Sequence, residues 1–149
     1  MKIALFSLEL LAAQPTFAHP VIGISDGDTL KILQDGRPVR IRLANIDAPE
    51  SSQAFGQRSK ISLSDMCYRK DASIEAVDTD QYGPTVAVVY CDGVNVNRAQ
   101  VEKGMAWNYK RYSKDPALAG MEARARAAHI GLWADPDPTP PWDYRRAAR

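Results

Sequence analysis

Two acidic clusters occupy the first third of the chain. Asp26-Gly27-Asp28-Thr29 places two carboxylates around a glycine, and the run Arg40-Ile41-Arg42-Leu43-Ala44-Asn45-Ile46-Asp47-Ala48-Pro49-Glu50 places two more beyond a pair of arginines. Either cluster alone is ordinary. Asp-Gly-Asp is common turn chemistry, and mixed charges at this spacing often make surface ion pairs that contribute little. The two become chemically interesting if they meet. Asp35-Gly36 is a strong hairpin signal. With Asp28 beginning the second strand and Asp47 ending the third, antiparallel pairing brings their carboxylates close. Two such groups repel, and a hard divalent cation removes the repulsion. Oxygen donors with no His or Cys beside them favour Ca²⁺ or Mg²⁺ over zinc. Glu50 follows just beyond the Pro49-stiffened turn.

The elements that must hold these groups are short strands and helices. Val21 to Ser25, Thr29 to Gln34 and a third strand through Val39, Ile41 and Leu43, closed by Ile46, read as an antiparallel meander with period-2 alternation. Ser51 to Met66 is expected to be helical, although Gly56 weakens it. Ser73 to Val77 and Thr85 to Cys91 read as strands, the second strongly β-forming. Asn97 is expected to cap a helix that ends at Gly104. Pro116 to Ala128 is the clearest helix, with Leu118, Met121, Ala125 and Ala128 on one face. The expected class is α+β, mainly β: a five-stranded OB-type barrel with about three α-helices. Beyond Trp133 come four prolines and then Arg145, Arg146 and Arg149. This stretch reads as an irregular tail, with Trp133 or Trp142 docked on the body. The organisation is therefore a leader over residues 1–18, a domain over 19–134 and a Pro-rich, basic tail over 135–149.

The chain has 149 residues, a formal net charge of +1 and 45% hydrophobic residues, which suits one globular domain. So small a net charge argues against a protein that coats nucleic acid indiscriminately, but not against a cleft that grips a few phosphates. Lys2, the apolar run Ile3 to Ala13 and the small-residue spacing of Thr16-Phe17-Ala18 have the form of an export signal cut before His19. The run is too short to span a bilayer, and the alternative is an N-terminal arm packed on a cytoplasmic domain. Cys67 and Cys91 make one disulfide plausible in an exported chain, against two buried thiols. Two cysteines and two histidines argue against a zinc site.

Asp26-Gly27-Asp28-Thr29, Arg42-Leu43 and Ile46-Asp47-Ala48-Pro49-Glu50 resemble the active-site motifs of the staphylococcal nuclease family. Asp80-Gln81-Tyr82-Gly83, then Val94-Asn95-Val96-Asn97 through Gly104-Met105-Ala106-Trp107, then Gly131-Leu132-Trp133 resemble its later segments in order. The resemblance spans Val21 to Trp133. It implies that Asp28 and Asp47 bind one calcium ion, rather than magnesium, together with the backbone carbonyl of Ala48. Asp26 would stand behind these ligands. Glu50 would orient or deprotonate the attacking water, and Arg42 would grip the scissile phosphate. The implied reaction is hydrolysis of DNA and RNA, preferably single-stranded, with 3′-phosphate ends, by an exported monomer that is free of the membrane once its signal is cut. Tyr82, Tyr109 and Tyr112 are candidates for stacking bases or bonding a terminal phosphate.

One position departs from the family pattern. The Tyr-Gly segment is normally followed by a second phosphate-binding arginine, and here that residue is Pro84. Proline offers neither charge nor donor, and a lost transition-state donor typically costs about 10²–10³ in rate. Two readings follow: a calcium-dependent endonuclease of reduced activity, or a non-catalytic OB-type module that binds nucleic acid.

Overall fold

The computed structural model describes residues 17–79 and 83–149. The leader expected over residues 1–18 lies almost wholly outside the described residues, and Tyr82 lies outside them too.

β1 (Ala18–Asp26), β2 (Thr29–Gln34) and β3 (Arg37–Leu43) form the expected meander. β4 (Ile46–Asp47) follows, then α1 (Gly56–Cys67), β5 (Asp71–Thr79), β6 (Thr85–Cys91) and β7 (Val94–Asn95). After α2 (Val96–Glu102) come β8 (Trp107–Asn108), α3 (Ala117–Ala127), a 3₁₀ turn over Gly131–Ala134 and α4 (Pro141–Ala147). The sheet order is β3-β2-β1-β5-β6-β7, and a further parallel pairing of β3 with β6 closes its first five strands into a barrel. Alternation along the strands turns Val21, Leu30, Ile32, Ile41, Leu43, Ala87 and Val89 inward, where they pack with Leu63 of α1 and Val96 and Val101 of α2. The architecture is thus the OB-type α+β barrel, with four α-helices in place of three.

Four local differences from the sequence expectation bear on the site. The third strand ends at Leu43, because Asn45 takes a left-handed conformation (φ 71°) that turns the chain. Asp47 therefore lies on β4, a separate two-residue strand paired with β8. The first helix starts at Gly56, leaving Glu50 to Phe55 as a loop. Asn95, not Asn97, caps α2 by accepting the Arg98 N–H at 3.0 Å. Asn97 is instead buried: it accepts from Val89 N–H and donates to the carbonyls of Ala44 and Ala87, each at 3.0 Å, fastening the turn ahead of Asp47 to β6. Finally, the tail read as irregular carries α4, with Pro141 at its first turn, where a missing N–H costs nothing. Trp133 is buried, and Trp142 docks by stacking on Tyr109, with centroids 5.3 Å apart and an 18° tilt, and by edging Trp107 at 5.5 Å. The Sγ atoms of Cys67 and Cys91 are bonded, joining the end of α1 to β6 with Cα atoms 5.5 Å apart.

Candidate active site

The turn that carries Asp28 is held from beneath. Gln100, fully buried on α2, donates through Nε2 to the Gly27 carbonyl at 2.7 Å and to the Ser59 carbonyl at 3.0 Å. Gly27 cannot be replaced cheaply, since a Cβ there would stand 1.7 Å from Ser59 Oγ. Asp26 Oδ1 accepts the Asp28 N–H at 3.1 Å, which makes the turn tight. The Asp28 side chain then reaches across the barrel end. Its Oδ2 accepts the Ala48 N–H at 2.7 Å, and its Oδ1 accepts the Thr29 hydroxyl at 3.0 Å. That bond, rather than strand pairing with Asp47 itself, brings the two acidic clusters together.

Arg42, opposite Thr29 on β3, joins the carboxylates. Its guanidinium pairs with Asp28 and, at 3.4 Å, with Asp47 Oδ1, while Nη2 also donates to the Ile46 carbonyl at 3.3 Å. Asp47 is almost completely buried, at 1% exposure. Its strand is braced by β8, where Asn108 N–H donates to the buried Glu122 carboxylate of α3 at 2.7 Å. Burial pushes the Asp28 carboxyl up to about 7, with Arg42 pulling it back down and the neighbouring Asp26 adding to the rise.

Glu50 sits at the mouth, about a third exposed. Gln53 shapes its loop: its backbone N–H donates to the Glu50 carbonyl at 2.9 Å, and its Oε1 accepts the Glu50 N–H at 3.1 Å. Gly56 allows the loop to pass, because a Cβ there would meet the Glu50 carbonyl oxygen at 2.0 Å.

One member of the site was not identified from the sequence. Arg145 of α4 donates through Nη2 to Asp47 Oδ2 at 2.7 Å and through Nη1 to Asp47 Oδ1 at 3.0 Å and Glu50 Oε1 at 2.7 Å. The bonds to Asp47 first, and to Glu50 second, hold its proton more firmly than in water, against the opposing effect of partial burial. The only sequence signal was a basic tail containing a tryptophan. Arg37, Arg40 and Lys110 are exposed. The result is a chain of alternating charge: Asp28, Arg42, Asp47, Arg145, Glu50.

Of the candidate tyrosines, Tyr112 is exposed and Tyr109 is partly buried with its ring against Trp142. The two tyrosines pack at 4.8 Å. A groove of ≈ 860 Å³ runs from Arg42 past Tyr109 and Tyr112 to Arg98 and Lys114.

The donor set suits a hard divalent cation by its chemistry. Every candidate ligand is an oxygen, two of the carboxylates are buried, and the site's four acids (Asp26, Asp28, Asp47, Glu50) outnumber its two guanidiniums. Among the described residues, however, no three His, Cys, Asp or Glu side chains converge as a preformed cage. Arg42 and Arg145 bridge adjacent pairs of these acids.

A barrel end that gathers buried carboxylates and two guanidiniums beside a groove lined by Tyr109 and Tyr112 can take a cation and an anionic substrate together. The family model for staphylococcal nuclease homologues matches residues 40–135, and the chain belongs to that family. It is 50% identical over 127 residues to an endonuclease of Haemophilus influenzae described as uncharacterized, covering 85% of this chain and 71% of that protein. It is 38% identical over 170 residues to a micrococcal nuclease of Shigella flexneri, covering 100% of this chain and 98% of that protein, and 40% identical over 151 residues to Protein ParB of Escherichia coli, covering 92% and 85%. Family and relatives together support a hydrolase that acts on nucleic acid.

Proposed function

We propose that this protein is an exported, calcium-dependent endonuclease that hydrolyses phosphodiester bonds of DNA and RNA, preferably single-stranded, with little sequence preference, leaving 3′-phosphate ends. The observation that carries the reading is the charge chain at the barrel end, two buried carboxylates, one partly exposed carboxylate and a guanidinium, in a chain of the staphylococcal nuclease family.

Asp28, Asp47 and the Ala48 carbonyl would hold the calcium ion, with Asp26 fixing the turn behind them. Bound there, the ion acts as a Lewis acid on the phosphoryl oxygen and offsets developing charge. The remaining work falls to the chain itself. Arg42 orients the phosphodiester by donating to a non-bridging oxygen, the task for which a planar guanidinium is suited. Glu50, at the mouth with one edge open to solvent, takes the proton from the attacking water, assistance worth about 10²–10⁴ in rate. Tyr112, exposed at the groove beside Lys114, offers a ring on which a base of a single strand stacks.

Pro84, just ahead of β6 and without a charge to offer, favours the second reading, a nucleic-acid-binding module that does not cut. Digestion of single-stranded DNA separates the two. Wild type is expected to cleave slowly with Ca²⁺ and not with a chelator. Glu50→Gln is expected to lose the activity, and Pro84→Arg to raise it. Binding without cleavage at high enzyme concentration would establish the second reading.

A further inference from the structure

We propose that Arg145 is a second phosphate-gripping residue of this site, delivered to it by the C-terminal helix α4. The proposal deepens the functional reading above and rests on it.

A merely structural ion pair would be expected to fasten α4 to the body, yet α4 is fastened without Arg145. Pro141 is buried, Trp142 stacks on Tyr109, and the Tyr144 hydroxyl shares a hydrogen bond with Ser52 Oγ at 2.8 Å. Just ahead of the helix, the Thr139 carbonyl accepts from Gln53 Nε2 at 2.6 Å. These contacts grip the loop that bears Glu50, because Gln53 and Ser52 belong to it. Arg145 then extends from this docked platform into the site and is itself 36% exposed at the mouth.

Its present partners also indicate what it is for. It bonds Asp47, which the functional reading gives to a cation, and Glu50, which that reading gives to water. Both carboxylates must release the guanidinium, wholly or in part, for the site to work. The guanidinium stands beside Glu50, at the same carboxylate, Asp47, that Arg42 contacts from the barrel side. An anionic phosphodiester entering between Arg42 and Arg145 would find donors on both sides. With a divalent ion present, the site no longer carries an excess of negative charge, so an anionic phosphodiester can compete with the carboxylates for both arginines. A fork of N–H donors fits two phosphoryl oxygens at once, which a lysine cannot reproduce.

The test uses the full exported chain with Ca²⁺ and two readouts: cleavage of a single-stranded DNA oligonucleotide, and binding of a phosphorothioate-linked oligonucleotide that resists cleavage, followed by fluorescence anisotropy. Arg145→Ala is expected to lose about 10²-fold in kcat and roughly tenfold in affinity for the resistant oligonucleotide, with millimolar guanidinium ion restoring part of each. Arg145→Lys, which keeps the charge beside Asp47 but not the fork of donors, is expected to fall between wild type and Arg145→Ala. Wild-type binding and cleavage by Arg145→Ala would overturn the proposal. So would faster cleavage with tighter Ca²⁺ binding, which would make Arg145 a plug in the cation site. Should Arg145→Ala fail to fold, wild-type values for Arg145→Lys would overturn it instead. The two claims fail separately. If wild type cuts nothing but loses oligonucleotide affinity on mutation, the hydrolase reading falls and the Arg145 contact stands.

Discussion

The site is assembled from two regions that are held in place by different forces. Asp28, Arg42 and Asp47 stand on the barrel, where strand ladders, the buried amides of Asn97 and Gln100 and the paired strands β4 and β8 hold the backbone beneath each of them. Arg145 stands on a seven-residue helix with no ladder, docked through one stacked tryptophan and a few polar bonds to the Glu50 loop. Many cooperative bonds fix the first region, and a handful of surface contacts fix the second. Local opening should therefore be far easier in the second. The division matches the work proposed for each. Buried carboxylates that receive a cation need a rigid frame, whereas an arginine that must leave Asp47 and Glu50 to meet a phosphate needs a frame that can give.

The contrast can be broken first on the barrel side. Arg42→Met leaves two buried carboxylates, Asp28 and Asp47, without their barrel counter-charge. Urea unfolding near pH 8 should show a loss of about 3–5 kcal/mol, with a smaller loss near pH 5. The sign follows from Asp28. Burial makes it bind its proton more tightly in the folded state than in the unfolded chain, so raising the pH from about 4 to 7 works against folding, and removing Arg42 steepens that slope. Equal losses at both pH values would mean that Asp28 is not the group carrying the penalty.

The tail side should respond more gently and more locally. Trp142→Ala removes the stack on Tyr109 and the edge contact with Trp107. About 1–2 kcal/mol should be lost, confined in hydrogen exchange to the amides of α4 and the Glu50 loop, with β2, β3 and β6 protected as before. Deprotection of those strands would show that the two regions form one cooperative unit and would dissolve the contrast.

The same division governed what could be read in advance. The barrel half was legible because its residues lie in two short motifs, and because Asp35-Gly36 announces the hairpin that sets β2 against β3. Details that depend on side-chain direction were not. The apolar residues Val39, Ile41, Leu43 and Ile46 read as one strand, but the left-handed Asn45 breaks it at Leu43 and gives Asp47 a strand of its own. Asn97 looks like a helix cap by type and position, and only packing shows that it faces inward while Asn95 does the capping. The tail was least legible. Four prolines within six residues read as an irregular stretch, whereas Pro141 begins a helix. Nothing local links Arg145 to acids nearly a hundred positions earlier. That link exists only through the docking of Trp142 and the bonds of Gln53 and Ser52, which are contacts between distant segments.

Asp47 is where the two regions meet, since Arg42 approaches it from the barrel and Arg145 from the tail. The most direct test of the account is the initial rate of single-stranded DNA cleavage by Asp47→Asn at saturating Ca²⁺. The variant keeps the side chain's shape, and its near-ultraviolet circular dichroism should match that of wild type. The account predicts a rate lower by roughly 10²-fold or more, together with a higher Ca²⁺ requirement. A folded Asp47→Asn protein that cleaves at the wild-type rate would contradict it.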